Sequence, residues 1–342
     1  MALWGDYHLA SGAGWRVYWR ISQLKGGGLE VWFADFKGRR VLWRGTAPFA
    51  IVPYHRPHPG PEPPPPEHCY KDGLGPQCGG APFTALKHGA PNTWAFGWNA
   101  AQDTDAVVVA TEPATDFAPA HLSITAKFQC GWYQYVHNWV FDGDGSIHPQ
   151  IAMGGQLNPN TPGTPHVHHF YFRLDLDIDG FPSDVAEIFD HNTLNDPGGD
   201  KTTLVAAQGK LLADVSKSRK WRVRDAKSKN QLGQHRGYDI ELPQLAGRDK
   251  YSTGDVWVTV YRGDAVEQGG DIGMGDCTDK RLETVYAVGP LNTASGNDIV
   301  LWVVIRHHHE PRNLGEENHH LPYDYVGYEI SPRNFDVFGA RD

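Results

Sequence analysis

The stretch His166–Gly180, HVHHFYFRLDLDIDG, carries two patterns at once. Its Phe, Tyr, Val and Leu content suits a pleated, half-buried strand. In a strand, residues two apart share a face. His166 and His168 can therefore aim both imidazoles at one ion, and Asp175, Asp177 and Asp179 line up in the same way. Imidazoles suit copper, zinc or iron, with copper preferred on affinity, whereas hard carboxylate oxygens suit calcium. The plain alternatives are a polar strand end with surface histidines and a solvated acidic face.

Segments of the same kind extend in both directions. VYWRISQL (17–24), LEVWFADF (29–36), RVLWRG (40–45), AVVVAT (106–111), HLSITAKF (121–128), WYQYVHNWVF (132–141), DVWVTVYR (255–262) and DIVLWVVIR (298–306) are rich in β-branched and aromatic residues. KGGG (25–28), DGDG (142–145), NDPGGD (195–200) and SGND (295–298) punctuate them as turns. The fold class is therefore all-β, a large antiparallel β-sandwich. The best helical candidate, SDVAEIFD (183–190), is short. A Pro run at 58–68, HPGPEPPPPEH, reads as an extended surface connection inside a single domain spanning 1–342.

The chain has 342 residues, 40% hydrophobic and 21% charged, a globular rather than a disordered composition. A net charge of −9 opposes a nucleic-acid platform. No apolar run approaches the ~20 residues of a membrane span. No export signal is visible, which favours a cytoplasmic protein. Cys69, Cys78, Cys130 and Cys277 include no CxxC pair. Cys69 and Cys78 bracket a Gly-rich loop that a disulfide could close; reduced thiols fit the absence of a signal better. Eighteen histidines are the unusual feature. DIVLWVVIR runs into His307-His308-His309, and a His from that end could complete a three-imidazole site with His166 and His168.

These motifs, in order, resemble the copper amine oxidase family. HVHHFYFRLDLDIDG resembles its His-x-His block, and HHHEPRNLGEENHHLPYDYVGYEISPRNFDVF (307–338) its closing block. RRVLWRGTAPFAIVPYHRP (39–57) resembles its stretch ending in Val-Pro-Tyr. The resemblance implies copper on His166, His168 and His309. It implies a peripheral calcium-type site from Asp175, the Leu176 carbonyl, Asp177, Asp298 and the Ile299 carbonyl. It also implies a catalytic sandwich without the small preceding domains, and a homodimer with an arm beginning within Lys229–Leu242. Family members oxidise a tyrosine to topaquinone and convert a primary amine, O2 and water to an aldehyde, ammonia and hydrogen peroxide.

The precursor position is Tyr133 in CGWYQYVHNWVF, flanked by Trp132 and Tyr135. Trp132 stands where the family has Asn, and Gln134 where it has an acid. Alternation predicts Tyr133 and Tyr135 on one face, with Trp132 and Gln134 opposite. Tyr54 matches the tyrosine that hydrogen-bonds the cofactor oxygen. For the proton-abstracting base, counting back from Gly73 gives Lys71, with Asp72 one step off. Three functions stay open: a quinone-forming amine oxidase, a quinone-free copper oxidase or oxygenase acting on a small biosynthetic substrate, and a non-catalytic copper-binding homologue.

Overall fold

The structure is a computed structural model. It describes residues 7–22, 28–54, 68–75, 79–86, 106–156, 158, 164–180, 183–191, 199–243, 247–263, 277–309 and 321–335. The Pro run before His68 and Cys78 lie outside them.

Twenty strands follow one another among these residues. They are β1 (His8–Gly12), β2 (Trp15–Ser22), β3 (Gly28–Phe36), β4 (Arg39–Tyr54), β5 (His68–Asp72), β6 (Thr84–Ala85) and β7 (Val107–Glu112). Then come β8 (His121–Cys130), β9 (Tyr133–Asp142), β10 (Ile147–Gly155), β11 (His166–Asp175), β12 (Asp184–Asp190), β13 (Lys201–Leu204) and β14 (Gly209–Leu211). The last are β15 (Lys220–Lys229), β16 (His235–Glu241), β17 (Val256–Val260), β18 (Ile299–His309), β19 (Leu321–Gly327) and β20 (Glu329–Arg333).

They form two antiparallel sheets. One runs β1-β2-β3-β4-β11-β18-β17-β14, with β5 on β4. The other runs β13-β12-β15-β16-β20-β10-β9-β8-β6, with β7 on β8 and β19 on β10. Inward-facing residues of both sheets share one core, including Val52, Tyr54, Ile124, Tyr133, Tyr135, Trp139, Phe170, Phe172 and Val303. Each such large side chain contributes about 1.5–3 kcal/mol by leaving water. A second apolar cluster, with Phe49, Ile51, Tyr171, Trp257 and Trp302, lies on the far face of the first sheet. β11 sits between them, paired with β4 and β18, which is why its side chains are buried on both faces.

The all-β sandwich is as expected, but three local expectations are corrected. SDVAEIFD is a strand, not a helix: β12 pairs with β13 on one side and β15 on the other. So short a segment gains little as an isolated helix, and the two ladders satisfy its backbone instead. Cys69 is neither the reduced thiol favoured above nor joined to Cys78: it is bonded to Cys277, with a Cα–Cα separation of 6.0 Å. This bond ties the edge strand β5 to the segment leading into the helical turn Leu282–Tyr286. Asp179 does not continue the acidic face, because the chain leaves extended conformation after Asp175 and Asp179 adopts φ 59° in the turn Ile178–Gly180. Its carboxylate pairs with Arg39 at 3.0 Å and Arg236 at 3.4 Å.

Candidate metal centre and active site

Strand register builds the histidine group. His166 lies opposite His309 across the β11–β18 ladder. Directly opposed residues share a face, and the face here is the shared core. His166, His168 and His309 are buried, and their ligating nitrogens all lie within 4.8 Å of one another. His307, opposite His168 in register, reaches instead toward Asp324 at 3.9 Å. His169, on the other face of β11, lies 3.1 Å from the Asp249 carboxylate and, like His168, is buried, so neither His168 nor His169 is a surface histidine of the kind first considered.

The hydrogen-bond partners set the tautomers. His166 Nδ1 lies 2.8 Å from the Thr164 carbonyl, which can only accept, so Nδ1 carries the proton and Nε2 is bare. The Tyr135 hydroxyl donates to Asp72 at 2.6 Å, so its oxygen accepts from His168 Nδ1 at 3.2 Å, and His168 Nε2 is bare as well. These two bare Nε2 atoms face each other at 3.0 Å, and His309 Nδ1 is 3.2 Å from that of His166. Facing lone pairs repel unless a cation lies between them. Metal–imidazole bonds of about 2 Å meeting near a right angle place their nitrogens about 3 Å apart, so the donor set fits a metal ion. Burial, with repulsion among the neighbouring histidines, holds His166 neutral down to about 3 and keeps His168 well below its ordinary value. Neutral imidazole is the form a metal requires.

The tyrosines lie on the same wall. Tyr133 and Tyr135 face the core from β9, and Gly155 pairs opposite Tyr133. Gly155 has φ 107°, and a Cβ there would fall 2.7 Å from the Gln134 nitrogen, so only glycine fits. The Tyr133 hydroxyl is 3.1 Å from His166 Nε2 and 2.6 Å from the Tyr54 hydroxyl. Bare Nε2 makes Tyr133 the donor to His166, which leaves Tyr54 donating to Tyr133. Burial raises both phenols above their ordinary pKa. Trp132 does not obey the expected alternation. It belongs to the two-residue turn before β9, and its ring packs edge-on to Tyr70 at 5.1 Å and 6.4 Å from Tyr133, on the core side.

β5 separates the two base candidates. Asp72 pairs with Ala50, whose side chain is in the shared core, while Lys71 pairs with Ile51 of the far cluster. Asp72 thus reaches Tyr135, and Lys71 is buried on the opposite face. Burial raises the Asp72 carboxyl to about 7, against smaller lowering effects of Tyr135 and Cys130.

At the other end of β11, carboxylate oxygens of Asp175, Asp177 and Asp298 lie within 4.8 Å of one another. Leu176 and Ile299 follow Asp175 and Asp298 directly, and both are buried. Burial raises Asp175 to about 8 and Asp177 to about 6, with neighbouring carboxylates adding to both. The sequence reading missed Asp184. It is fully buried, and neither of its oxygens accepts a hydrogen bond among the described residues. Asp177 and Asp175 are the charges that press hardest on it, after burial itself. It also missed the Thr164 carbonyl and Cys130, which only the folded ladder brings to the site.

The sequence profile of the copper amine oxidase enzyme domain matches residues 111–338, two thirds of the chain. Primary amine oxidase 2 of Arabidopsis thaliana is 27% identical over 245 residues, 60% of this chain and 35% of that protein. Histamine oxidase of Arthrobacter globiformis is 24% identical over 241 residues, with the same coverage of 60% and 35%. The chain thus spans about a third of the length of these curated relatives. The fold is similar to that of a copper-containing benzylamine oxidase from Hansenula polymorpha, with TM-score 0.70 and 19% identity over 97% of this chain and 61% of that one. With the profile match, the ordered motifs and the histidine ladder in agreement, the chain belongs to the copper amine oxidase family.

Proposed function

We propose that this domain is a copper-dependent primary-amine oxidase, converting a primary amine, O2 and water to an aldehyde, ammonia and hydrogen peroxide at a quinone made from Tyr133. The supporting observation is the Tyr133 hydroxyl, 3.1 Å from His166 Nε2 and 2.6 Å from the Tyr54 hydroxyl. Copper on His166, His168 and His309 would supply a redox centre and a Lewis acid beside the phenol. With a metal on His166 Nε2, Tyr133 would have no acceptor there, and the Tyr54 hydroxyl would remain as a donor able to stabilise negative charge on the Tyr133 oxygen. Asp72, poised near neutrality, is the proton-abstracting base, since a base works best with a pKa near the working pH. Tyr135 holds Asp72 by one oxygen and fixes the His168 tautomer by the same hydroxyl. Lys71 faces the other way and takes no part.

The quinone-free copper oxidase is the second reading, and Trp132 favours it: its ring crowds the Tyr133–Tyr70 wall, and Tyr133 is only 2% exposed. Reconstitution of metal-free protein with copper in air tests both. A coloured phenylhydrazine adduct, a heavier Tyr133 peptide and peroxide release on primary amines are expected. Bound copper with an unchanged Tyr133 peptide moves the assignment to the quinone-free oxidase. Bound copper with no oxygen uptake on any substrate tried leaves a copper-binding homologue.

We further infer a peripheral calcium site at Asp175, Asp177 and Asp298 with the adjoining Leu176 and Ile299 carbonyls, Asp184 adding a fourth carboxylate. The homodimer is proposed through the β15–β16 hairpin. β16 itself is interior, paired with β15 and β20, and among the described residues of this hairpin the turn 230–234, with exposed Leu232, is the part that projects outward. The Cys69–Cys277 bond favours an oxidising compartment over the cytoplasm. No helix among the described residues is long and apolar enough to cross a membrane.

A further inference from the structure

β5 is a five-residue strand at the margin of its sheet, and among the described residues its strand partner is β4 alone. Its two faces have different neighbours. Tyr70 and Asp72 look toward the shared core, Tyr70 edge-on to Tyr54 at 5.5 Å and Asp72 accepting from the Tyr135 hydroxyl at 2.6 Å. Cys69 looks the other way, packs against the far apolar cluster and is bonded there to Cys277. Cys277 opens a segment that is held without help from β5. Two residues on, buried Asp279 donates its N–H to the Tyr251 carbonyl at 2.9 Å, and its carboxylate accepts from the Thr253 N–H at 2.7 Å. Leu282, Tyr286 and Ala287 then fill the far cluster beside Trp257 and Trp302. The bond thus ties a singly paired strand to a buried anchor. Both cysteines are half-buried, within reach of a small dithiol.

We propose that Cys69 and Cys277 are positioning residues: their disulfide clamps the outer face of β5 so that Asp72 stays buried against Tyr135, and reduction by a dithiol releases Asp72 while the histidine group stays in place. Two costs make the clamp necessary. A short ladder with one partner is marginal, and such edges open at low free energy. A buried carboxylate also favours opening, because leaving the core restores its water. A cross-link three residues before Asp72 opposes both. Alternation then carries the constraint along the strand, since a fixed outward Cys69 keeps Tyr70 and Asp72 inward. The histidines do not share this dependence. His166 and His168 lie on β11, between β4 and β18, and His309 ends β18, between β11 and β17. Reduction is thiol–disulfide exchange: the dithiol attacks one sulfur, the Cys69–Cys277 bond breaks, and the dithiol closes to its own disulfide. Two electrons and two protons end on the two cysteines.

The inference rests on the reading of Asp72 as the base, so its first readout needs no turnover, and metal-free protein gives the dithiol no copper to reduce. Infrared difference spectra of wild type minus Asp72→Asn isolate the band of the protonated Asp72 carboxyl. With the bond intact the band is expected to vanish as pH rises through about 7. After reduction, with alkylation of Cys69 and Cys277 shown by peptide mass, the midpoint should fall toward the ordinary carboxyl value of about 4. Amide hydrogen exchange in β5 should quicken in the same sample, with β11 and β18 unchanged. The double variant Cys69→Ser, Cys277→Ser should match the reduced wild type, take up one copper per chain and lose on the order of 100-fold or more in kcat. An Asp72 midpoint or a β5 exchange rate that ignores verified reduction overturns the proposal. So does loss of copper binding with the bond, which would make it a brace for the whole sheet. Should Asp72 follow the bond while the wild type oxidises no amine, the positioning role stands and the reaction assigned above falls.

Discussion

At one end of β11, two bare imidazole nitrogens face each other at 3.0 Å. At the other end, three carboxylates crowd within 4.8 Å, with Asp184 buried beside them. Both arrangements are costly without a cation, yet they respond to protons in opposite ways. Buried histidine escapes its cost by staying neutral, the form a metal takes. Buried aspartate escapes it by taking up a proton, which a metal must displace. One strand therefore carries one group of side chains already in the metal-binding form at neutral pH and one that would have to be deprotonated to receive a cation.

The comparison breaks most directly by exchanging damage between the ends. His168→Ala is expected to lower copper affinity beyond the ~10–100-fold typical of a lost supporting contact, while Asp175→Ala leaves copper content near one per chain. Elemental analysis of both proteins checks this, and equal copper loss in the two would show that the ends are not independent. Tyr135→Phe asks for less. His168 Nδ1 loses its acceptor, so about a 10–100-fold weaker copper affinity is expected, measured by competition with a chelator of known strength.

The smallest effect is the pH dependence of melting in metal-free protein. His166 titrates near 3 when folded and 6.5 when not, so between these values the unfolded chain binds more protons, and stability falls as pH drops through that window. Asp175 titrates near 8 when folded and 3.8 when not. There the folded chain binds more protons, and stability falls as pH rises from about 4 to about 8. Asp184→Asn relieves part of that second slope and should raise the melting temperature near pH 8 by on the order of 2–4 °C, with little change near pH 5. Calcium should raise it in the wild type and less in the variant. A flat response of both proteins to calcium would remove the peripheral site.

Most of the sandwich and the histidine triad were legible in the sequence because both depend on period-two alternation along long strands. His166, His168 and the strand leading to His309 announce themselves in that way. What was not legible sits where alternation stops. Asp179 leaves the acidic face because the chain turns after Asp175, and Trp132 rejoins the core because it lies in a turn. The choice between Lys71 and Asp72 is a question of strand face, and only the pairing with β4 settles which side chain looks inward. The partner of Cys69 lies 208 residues away, a distance that no local pattern reports.

The pairing of His166 with His309 has a consequence for assembly of the chain. A slip of one residue between β11 and β18 would turn every side chain of one strand to the opposite sheet face. His309 would then leave the metal group for the Trp257–Trp302 layer, and the exposed His308 would take its place beside His166. The affinity of the triad thus depends on a register fixed between strands more than a hundred residues apart in sequence. Because three histidines in a row end β18, a one-residue slip would exchange one imidazole for its neighbour rather than remove it, and only the observed register offers His309 from the buried face.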